Sequence, residues 1–277
     1  TFYSYENLNK KAKIIQVELE KKMLGRYFPI TVGICADAAT ATNQLYQEIK
    51  KQKVNSNIKN WTNNFLKERK IFLSNRNNDK SLKKFPIQPS GLFKQLRKVL
   101  PKNSAITLDA GTLCLQATDA LEYYNPPSLF TPLDFGLVGF SFACGLGVKI
   151  ARPEKTVVSL MGDGGFGMTI SELSTAVEYK INTITIVMNN SSWGAEKAYQ
   201  KDFFGKRYIG ADISSPAFHK VAQLYGAKGF EVNRVSEVNE ALKAALKCNK
   251  PAVINVNVDP KALYSFRIDS FKHRIKK

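Results

Sequence analysis

From residue 86 onward, short apolar runs alternate with amphipathic stretches along the chain. The runs predict strands at 104–109, 156–161, 183–188, 227–232 and 252–258, rich in Val, Ile, Leu and Thr. Helices are predicted between them at 90–100, 217–225 and 237–248. A further helix is carried by Ile170, Leu173, Ala176 and Val177, which recur with helical spacing after the second strand. Apolar strands alternating with helices predict a parallel sheet with right-handed crossovers and helices on both faces, an α/β domain over 86–260. The longest apolar run, 135–148, is broken only by Ser141; it is too short to span a bilayer and is read as a buried helix.

The first part of the chain is patterned differently. Strands are expected at 14–19 and around 30–34, then a helix Ala38–Lys50. That is too little sheet to enclose a core, so 1–50 reads as the C-terminal piece of a second α/β domain. Residues 51–85 are rich in Asn and Lys with apolar anchors at Trp61, Phe65 and Phe72, and read as a linker holding a helix around 60–73. Residues 261–277 form a basic tail. The chain opens on Thr1 and reads as cut from something longer.

Composition narrows the function. With 44% hydrophobic and 23% charged residues the chain is of ordinary globular type. Four scattered cysteines and two histidines leave little material for a zinc site or a Ser-His-Asp triad, and imply a reduced, cytoplasmic protein. The formal charge of +18 raises the question of a polyanion partner. The basic residues are scattered, mostly Lys, and not interleaved with aromatics, so neither nucleic acid nor membrane is expected as a partner.

Chemistry concentrates at two strand ends, where ligands of parallel sheets bind. The first is Met161-Gly162-Asp163-Gly164-Gly165-Phe166-Gly167, an acid among four glycines; the second ends in Asn189-Asn190 one crossover later. The Asp163 carboxylate, the Asn190 amide oxygen and the backbone carbonyl of Ser192 form a hard-oxygen half-shell suited to Mg²⁺. The glycines Gly162, Gly164 and Gly165 allow backbone N–H groups to approach a phosphate, aided by the following helix N-terminus. A diphosphate held through a metal is the implied ligand.

These motifs resemble the thiamine diphosphate signature of the decarboxylase and acetolactate synthase superfamily, and the resemblance covers 86–260. Residues 13–45 look like the end of that superfamily's middle domain. The superfamily's first domain, which supplies the glutamate that activates the cofactor's aminopyrimidine, is expected to be missing, so the chain alone is expected to be inactive. The resemblance implies the thiamine diphosphate-binding fold, both cofactors (thiamine diphosphate and Mg²⁺), and a homodimeric or homotetrameric complete enzyme. Within the superfamily, Trp193-Gly194-Ala195-Glu196-Lys197, with Gln200, Asp202-Phe203, Arg207 and the tail Phe266-Arg267-Ile268-Asp269, is most similar to the sulfoacetaldehyde acetyltransferases. That family converts sulfoacetaldehyde and phosphate to acetyl phosphate and sulfite in taurine and sulfonate degradation. Asn189 and Ser191-Ser192 depart from the expected pattern.

The resemblance assigns further roles. Val138 matches the apolar residue that wedges between the cofactor's rings, although core packing would also explain it. Gly111 and Thr112 match a loop touching the diphosphate, with helix capping the competing reading of Thr112. Met168 is placed near the pyrimidine, or else in the core, and Trp193 and Ala195 beside the cofactor. Lys197 and Arg207 are candidates for holding the anionic substrate and phosphate, with Glu196 as proton shuttle; solvated helix charges are the alternative for all three. An acetolactate synthase-like carboligase or a 2-oxoacid decarboxylase is the alternative activity, and a non-catalytic subunit of the same fold a third reading.

Overall fold

The computed structural model describes residues 9, 11–52, 56–77, 83–132 and 135–263. It separates into two compact units, one within 1–76 and one spanning 77–266. In the first, β1 (Ile15–Glu18) and β2 (Val32–Cys35) pair in parallel, with Ile15 opposite Val32. The helix α1 (Ala38–Lys50) follows, its free N-terminal amides met by Asp37, which accepts from Thr40 N at 2.9 Å. The next helix, α2 (Ser56–Asn77), extends beyond the 60–73 expected at both ends.

The second unit is built in chain order from α3 (Pro89–Val99), β3 (Ala105–Leu108), α4 (Thr112–Ala120), β4 (Leu129–Phe130), α5 (Phe140–Ala151), β5 (Val157–Gly162), α6 (Asp163–Thr169), α7 (Leu173–Glu178), β6 (Ile184–Asn189), α8 (Gly194–Phe203), α9 (Phe218–Leu224), β7 (Lys228–Val232), α10 (Val238–Lys247) and β8 (Ala252–Asn257). Six strands make one sheet in the order β4-β3-β5-β6-β8-β7, and every pairing is parallel. The period of two along each strand divides the core. Val158, Leu160, Ile184, Ile186, Met188, Ile254 and Val256 face α3, α4 and α10. Met161, Val187 and Val253 face the opposite way, toward α5, α6, α7 and α9. On that second face Phe142, Phe166 and Phe218 pack edge to face, with ring centroids 5.4 and 5.2 Å apart, and tie α6 to its neighbours.

Three details differ from the sequence expectation. The two-residue strand β4 is too short to leave a periodic signal. The run 135–148 is not one buried helix: Gly139 takes a left-handed φ of 87°, α5 starts only at Phe140, and Phe135 is 85% exposed. The helix expected after the second strand starts at Asp163 itself and is interrupted by a 3-10 turn at Ile170–Glu172 before α7. The tail from residue 264, with Phe266-Arg267-Ile268-Asp269, lies outside the described residues, as do residues 1–8 and His273.

Candidate functional site

The strand order creates a crevice at the C-terminal edge of the sheet. From β3 the chain turns into α4 on one face, while from β5 it turns into α6 on the other. Because β3 and β5 are neighbours, the two departing segments diverge and open a gap between them. Asp109-Ala110-Gly111-Thr112 lines one side and the glycine-rich start of α6 the other. The next strand, β6, pairs with β5 so that Gly162 stands opposite Met188, which puts Asp163 and Asn190 side by side beyond the sheet edge.

Three oxygen-bearing groups meet there. Asp163 is 1% exposed, Ser192 4% and Asn190 6%. The outer end of the Asn190 amide lies 3.1 Å from Asp163 Oδ1 and 3.1 Å from the Ser192 carbonyl oxygen. With its nitrogen at that end, the amide donates to both oxygens; with its oxygen there, three oxygens converge with no proton between them. The second arrangement sets oxygens against one another unless a proton or a cation lies between them. In an octahedron with metal–oxygen bonds of about 2.1 Å, adjacent oxygens stand about 3 Å apart, which matches this spacing. Among the described residues no three of His, Cys, Asp or Glu come together as a metal cluster. A cation here would therefore rest on one carboxylate and neutral oxygens, the pattern suited to Mg²⁺ sharing its shell with phosphate and water.

The second Asp163 oxygen, Oδ2, accepts from Ser215 Oγ at 2.5 Å, which leaves Oδ1 aimed at Asn190. Burial raises the Asp163 pKa above the ordinary aspartate value, and the Ser215 hydroxyl and nearby backbone N–H groups partly offset this. Ser215 lies 52 residues downstream of Asp163, in a loop without a recognisable motif, and sequence reasoning did not single it out.

The glycines allow close approach. A Cβ on Gly164 would stand 2.6 Å from the Trp193 ring, and one on Gly165 would stand 2.1 Å from Asp109 Oδ2. Gly162 has open space around it. Val138 is 40% exposed and its Cγ1 lies 3.5 Å from the point a Gly165 Cβ would occupy, so it rims the crevice instead of filling the core. Met168 is likewise exposed, against the core reading. The loop carrying Val138 is held by Asp109, whose oxygens accept from Gly139 N at 3.0 Å and Ser141 N at 3.2 Å. Thr112 is the first residue of α4, whose N-cap is Gly111 with no side-chain cap, so the capping reading of Thr112 falls. The Thr112 hydroxyl lies beside Gly194, the first residue of α8, which brings that helix N-terminus to the same crevice.

The candidates farther along α8 are arranged differently. Ala195 is half-buried and Glu196 exposed in the first turn. Lys197 is ion-paired with Asp212, its side chain 16% exposed, and its ammonium sits 5.5 Å from the centre of the Tyr208 ring. Arg207 is exposed, with Nε donating to Phe204 O at 3.3 Å. Asp212 also bridges to Ser192 through the backbone, so the loop after α8 folds back onto the oxygen cluster. The chain thus brings together Asp163, Asn190, Ser192, Gly164, Gly165, Val138, Thr112 and Trp193. It does not add Lys197 as a free cation.

A buried carboxylate with one oxygen fixed, two neutral oxygens at octahedral spacing, and a helix N-terminus alongside fit a divalent cation and a diphosphate. Comparison with known proteins agrees on the cofactor. The chain is similar to a sulfoacetaldehyde acetyltransferase of Castellaniella defragrans, with 31% identity over 258 residues, 86% of this chain and 42% of that protein. It is also similar to a probable acetolactate synthase large subunit of Methanococcus aeolicus, with 30% identity over 268 residues, 92% of this chain and 44% of that one. The chain therefore spans less than half the length of these curated relatives. In fold it matches a thiamine diphosphate-dependent 4-hydroxybenzoylformate decarboxylase of Rhodococcus jostii RHA1, with a TM-score of 0.71 and 22% identity over 91% of this chain and 45% of that structure. Residues 109–256, from the buried Asp109 to the last strand, match the family described as thiamine pyrophosphate enzyme, C-terminal TPP binding domain, and the chain belongs to that family.

Proposed function

We propose that this chain provides the metal- and diphosphate-binding half of a thiamine diphosphate enzyme that acts on a 2-oxoacid, as an acetolactate synthase-like carboligase or a decarboxylase. The observation that carries the cofactor half of this reading is the convergence of the Asn190 amide on Asp163 Oδ1 and the Ser192 carbonyl oxygen, 3.1 Å from each. Asp163, Asn190 and Ser192 would hold Mg²⁺, and the α8 N-terminus with Thr112 would receive the diphosphate. Val138 on its exposed rim would support the rings, with Met168 and Trp193 alongside. When bound, thiamine diphosphate supplies an electron sink for cleaving or forming a carbon–carbon bond next to a carbonyl. The chain's own part is to bind and orient: Ser215 fixes Asp163, Asp109 fixes the Val138 loop, and the sheet edge keeps the cluster dry. Phe135, Leu137 and Met168 are apolar and exposed around the crevice, which supports a site completed by another domain or subunit in a homodimer or homotetramer.

A second reading, transfer of an acetyl group from sulfoacetaldehyde to phosphate, is favoured by the Castellaniella relative. Its substrates are both anions, as a 2-oxoacid is, and Lys197 is already paired with Asp212, so that lysine favours neither reading. No helix among the described residues is long and apolar enough to cross a membrane.

Asp163→Ala and Asn190→Ala are each expected to abolish Mg²⁺-dependent binding of thiamine diphosphate, measured by titration calorimetry. Unchanged cofactor affinity in both variants would sink the site assignment. Assaying the complete enzyme with pyruvate and with sulfoacetaldehyde plus phosphate separates the two activities.

A further inference from the structure

The oxygen cluster depends on a sharp turn. Asn190 and Ser192 converge only because Ser191, between them, takes a left-handed φ of 51°, a conformation that disfavours ordinary side chains. No glycine relieves that strain. Instead the Asn189 side chain supplies the compensation: its Oδ1 accepts from Ser191 N at 3.1 Å and from Ser191 Oγ at 3.4 Å. Asn189 is in turn anchored, because its Nδ2 donates to Asn255 Oδ1 at 3.2 Å. Asn255 is 2% exposed and its Nδ2 donates to Asn257 Oδ1 at 3.0 Å. Asn257 donates to Asn233 Oδ1 at 2.6 Å, so a chain of amides crosses from β6 over β8 to the end of β7.

Such a chain leaves Asn189 with one usable orientation. An amide has a donor end and an acceptor end, and the acceptor end of Asn255 faces it. Asn189 must therefore turn its nitrogen to Asn255 and its oxygen to Ser191. An apolar residue at 189 could not hold the Ser191 N–H, and without Asn255 the Asn189 amide would be free to turn.

We propose that Asn189, oriented by Asn255, is a positioning residue for the metal site: it fixes the Ser191 turn that sets the spacing between the Asn190 side chain and the Ser192 carbonyl. This rests on the reading of Asp163, Asn190 and Ser192 as metal ligands. Partners that orient metal ligands without touching the ion contribute about 10–100-fold to metal affinity.

The test is Mn²⁺ binding to the complete enzyme in the presence of thiamine diphosphate, followed by the loss of the free-Mn²⁺ electron paramagnetic resonance signal. Asn189→Ala is expected to raise the Mn²⁺ dissociation constant by about 10–100-fold. Asn189→Asp keeps the acceptor for Ser191 but loses the donor to Asn255, and is expected to lie between wild type and Asn189→Ala. Asn255→Ala leaves Asn189 in place but unanchored, is expected to fall between, and carries the test if Asn189→Ala does not fold. Asp163→Ala separates the two layers of the argument. If it leaves Mn²⁺ binding unchanged, or if the complete wild-type enzyme binds no Mn²⁺, the metal reading fails and the proposal with it. If Asp163→Ala abolishes binding while Asn189→Ala and Asn255→Ala do not weaken it, the positioning role alone is overturned. Equal losses in Asn189→Ala and Asn189→Asp also overturn it, since affinity would then follow general disturbance of the strand end and not the acceptor on Ser191.

Discussion

Asp109 is 2% exposed, and no cation is among the groups that set its pKa. Its oxygens instead accept the amides of Gly139 and Ser141 at the start of α5, which otherwise has no side-chain cap. Burial pushes its pKa above the ordinary aspartate value of 3.8, and the amides pull only part of the way back. A folded-state pKa above the unfolded one means that the native state holds the proton longer. The associated stability is complete below the unfolded value and is lost as pH rises through the folded value. Asp163 shifts in the same direction when no metal is bound. In metal-free protein, replacing Asp109 by Asn should therefore flatten the decline in unfolding free energy that begins above pH 3.8. Urea denaturation at a series of pH values measures this. An identical slope in Asp109→Asn and wild type would mean that the carboxyl is not taken out of water as described.

The elements pack closely enough that some glycines are fixed by steric limits. On β7, a Cβ at Gly229 would stand 1.9 Å from the backbone oxygen of His219 in α9 and 2.6 Å from its carbonyl carbon. A backbone cannot swing aside as a side chain tip can, so Gly229→Ala should cost about 1–3 kcal/mol, seen as a lower urea midpoint. Gly167→Ala, with nothing within 4 Å, should change the midpoint little. Equal effects of the two substitutions would contradict the α9–β7 packing. This packing also marks what the sequence could and could not convey. The strands β5, β6 and β8 were legible because they are buried on both faces and therefore apolar throughout. Asp163 and Asn190 stood out because strand ends concentrate their chemistry locally. The start of α5 was hidden, since an apolar run broken only by Ser141 cannot reveal that Gly139 turns left-handed inside it. Ser215 and Asn255 were hidden for another reason: each acts through a partner far away in sequence, and the pairing exists only once β5, β6 and β8 lie side by side.

At the scale of the whole molecule the remaining choice is the substrate; pyruvate and sulfoacetaldehyde are both anions, so assay of the two separates the readings and the number of free cations does not. Either anion can be met by a cationic side chain or by backbone N–H groups at a helix N-terminus. Lys197 is paired with Asp212, and its ammonium also rests near the Tyr208 ring, so moving it to a substrate would break both contacts. Arg207 is exposed, and the one hydrogen bond described for its guanidinium is to the Phe204 carbonyl. The 2-oxoacid reading thus expects Lys197→Ala to weaken the fold of the loop after α8 while cofactor affinity stays intact, and it expects pyruvate to be preferred over sulfoacetaldehyde by the complete enzyme. The acetyltransferase reading expects the reverse preference. It further expects Arg207→Ala to raise KM for sulfoacetaldehyde by the equivalent of about 1.5–3 kcal/mol, the range for a hydrogen bond to a charged group. Steady-state assays of wild type and both variants, with sulfite release and pyruvate consumption followed in parallel, decide between them. Preference for sulfoacetaldehyde together with a raised KM in Arg207→Ala would replace the carboligase reading with the acetyltransferase one. An unchanged KM with pyruvate preferred would leave Arg207 a surface charge and Lys197 a structural one.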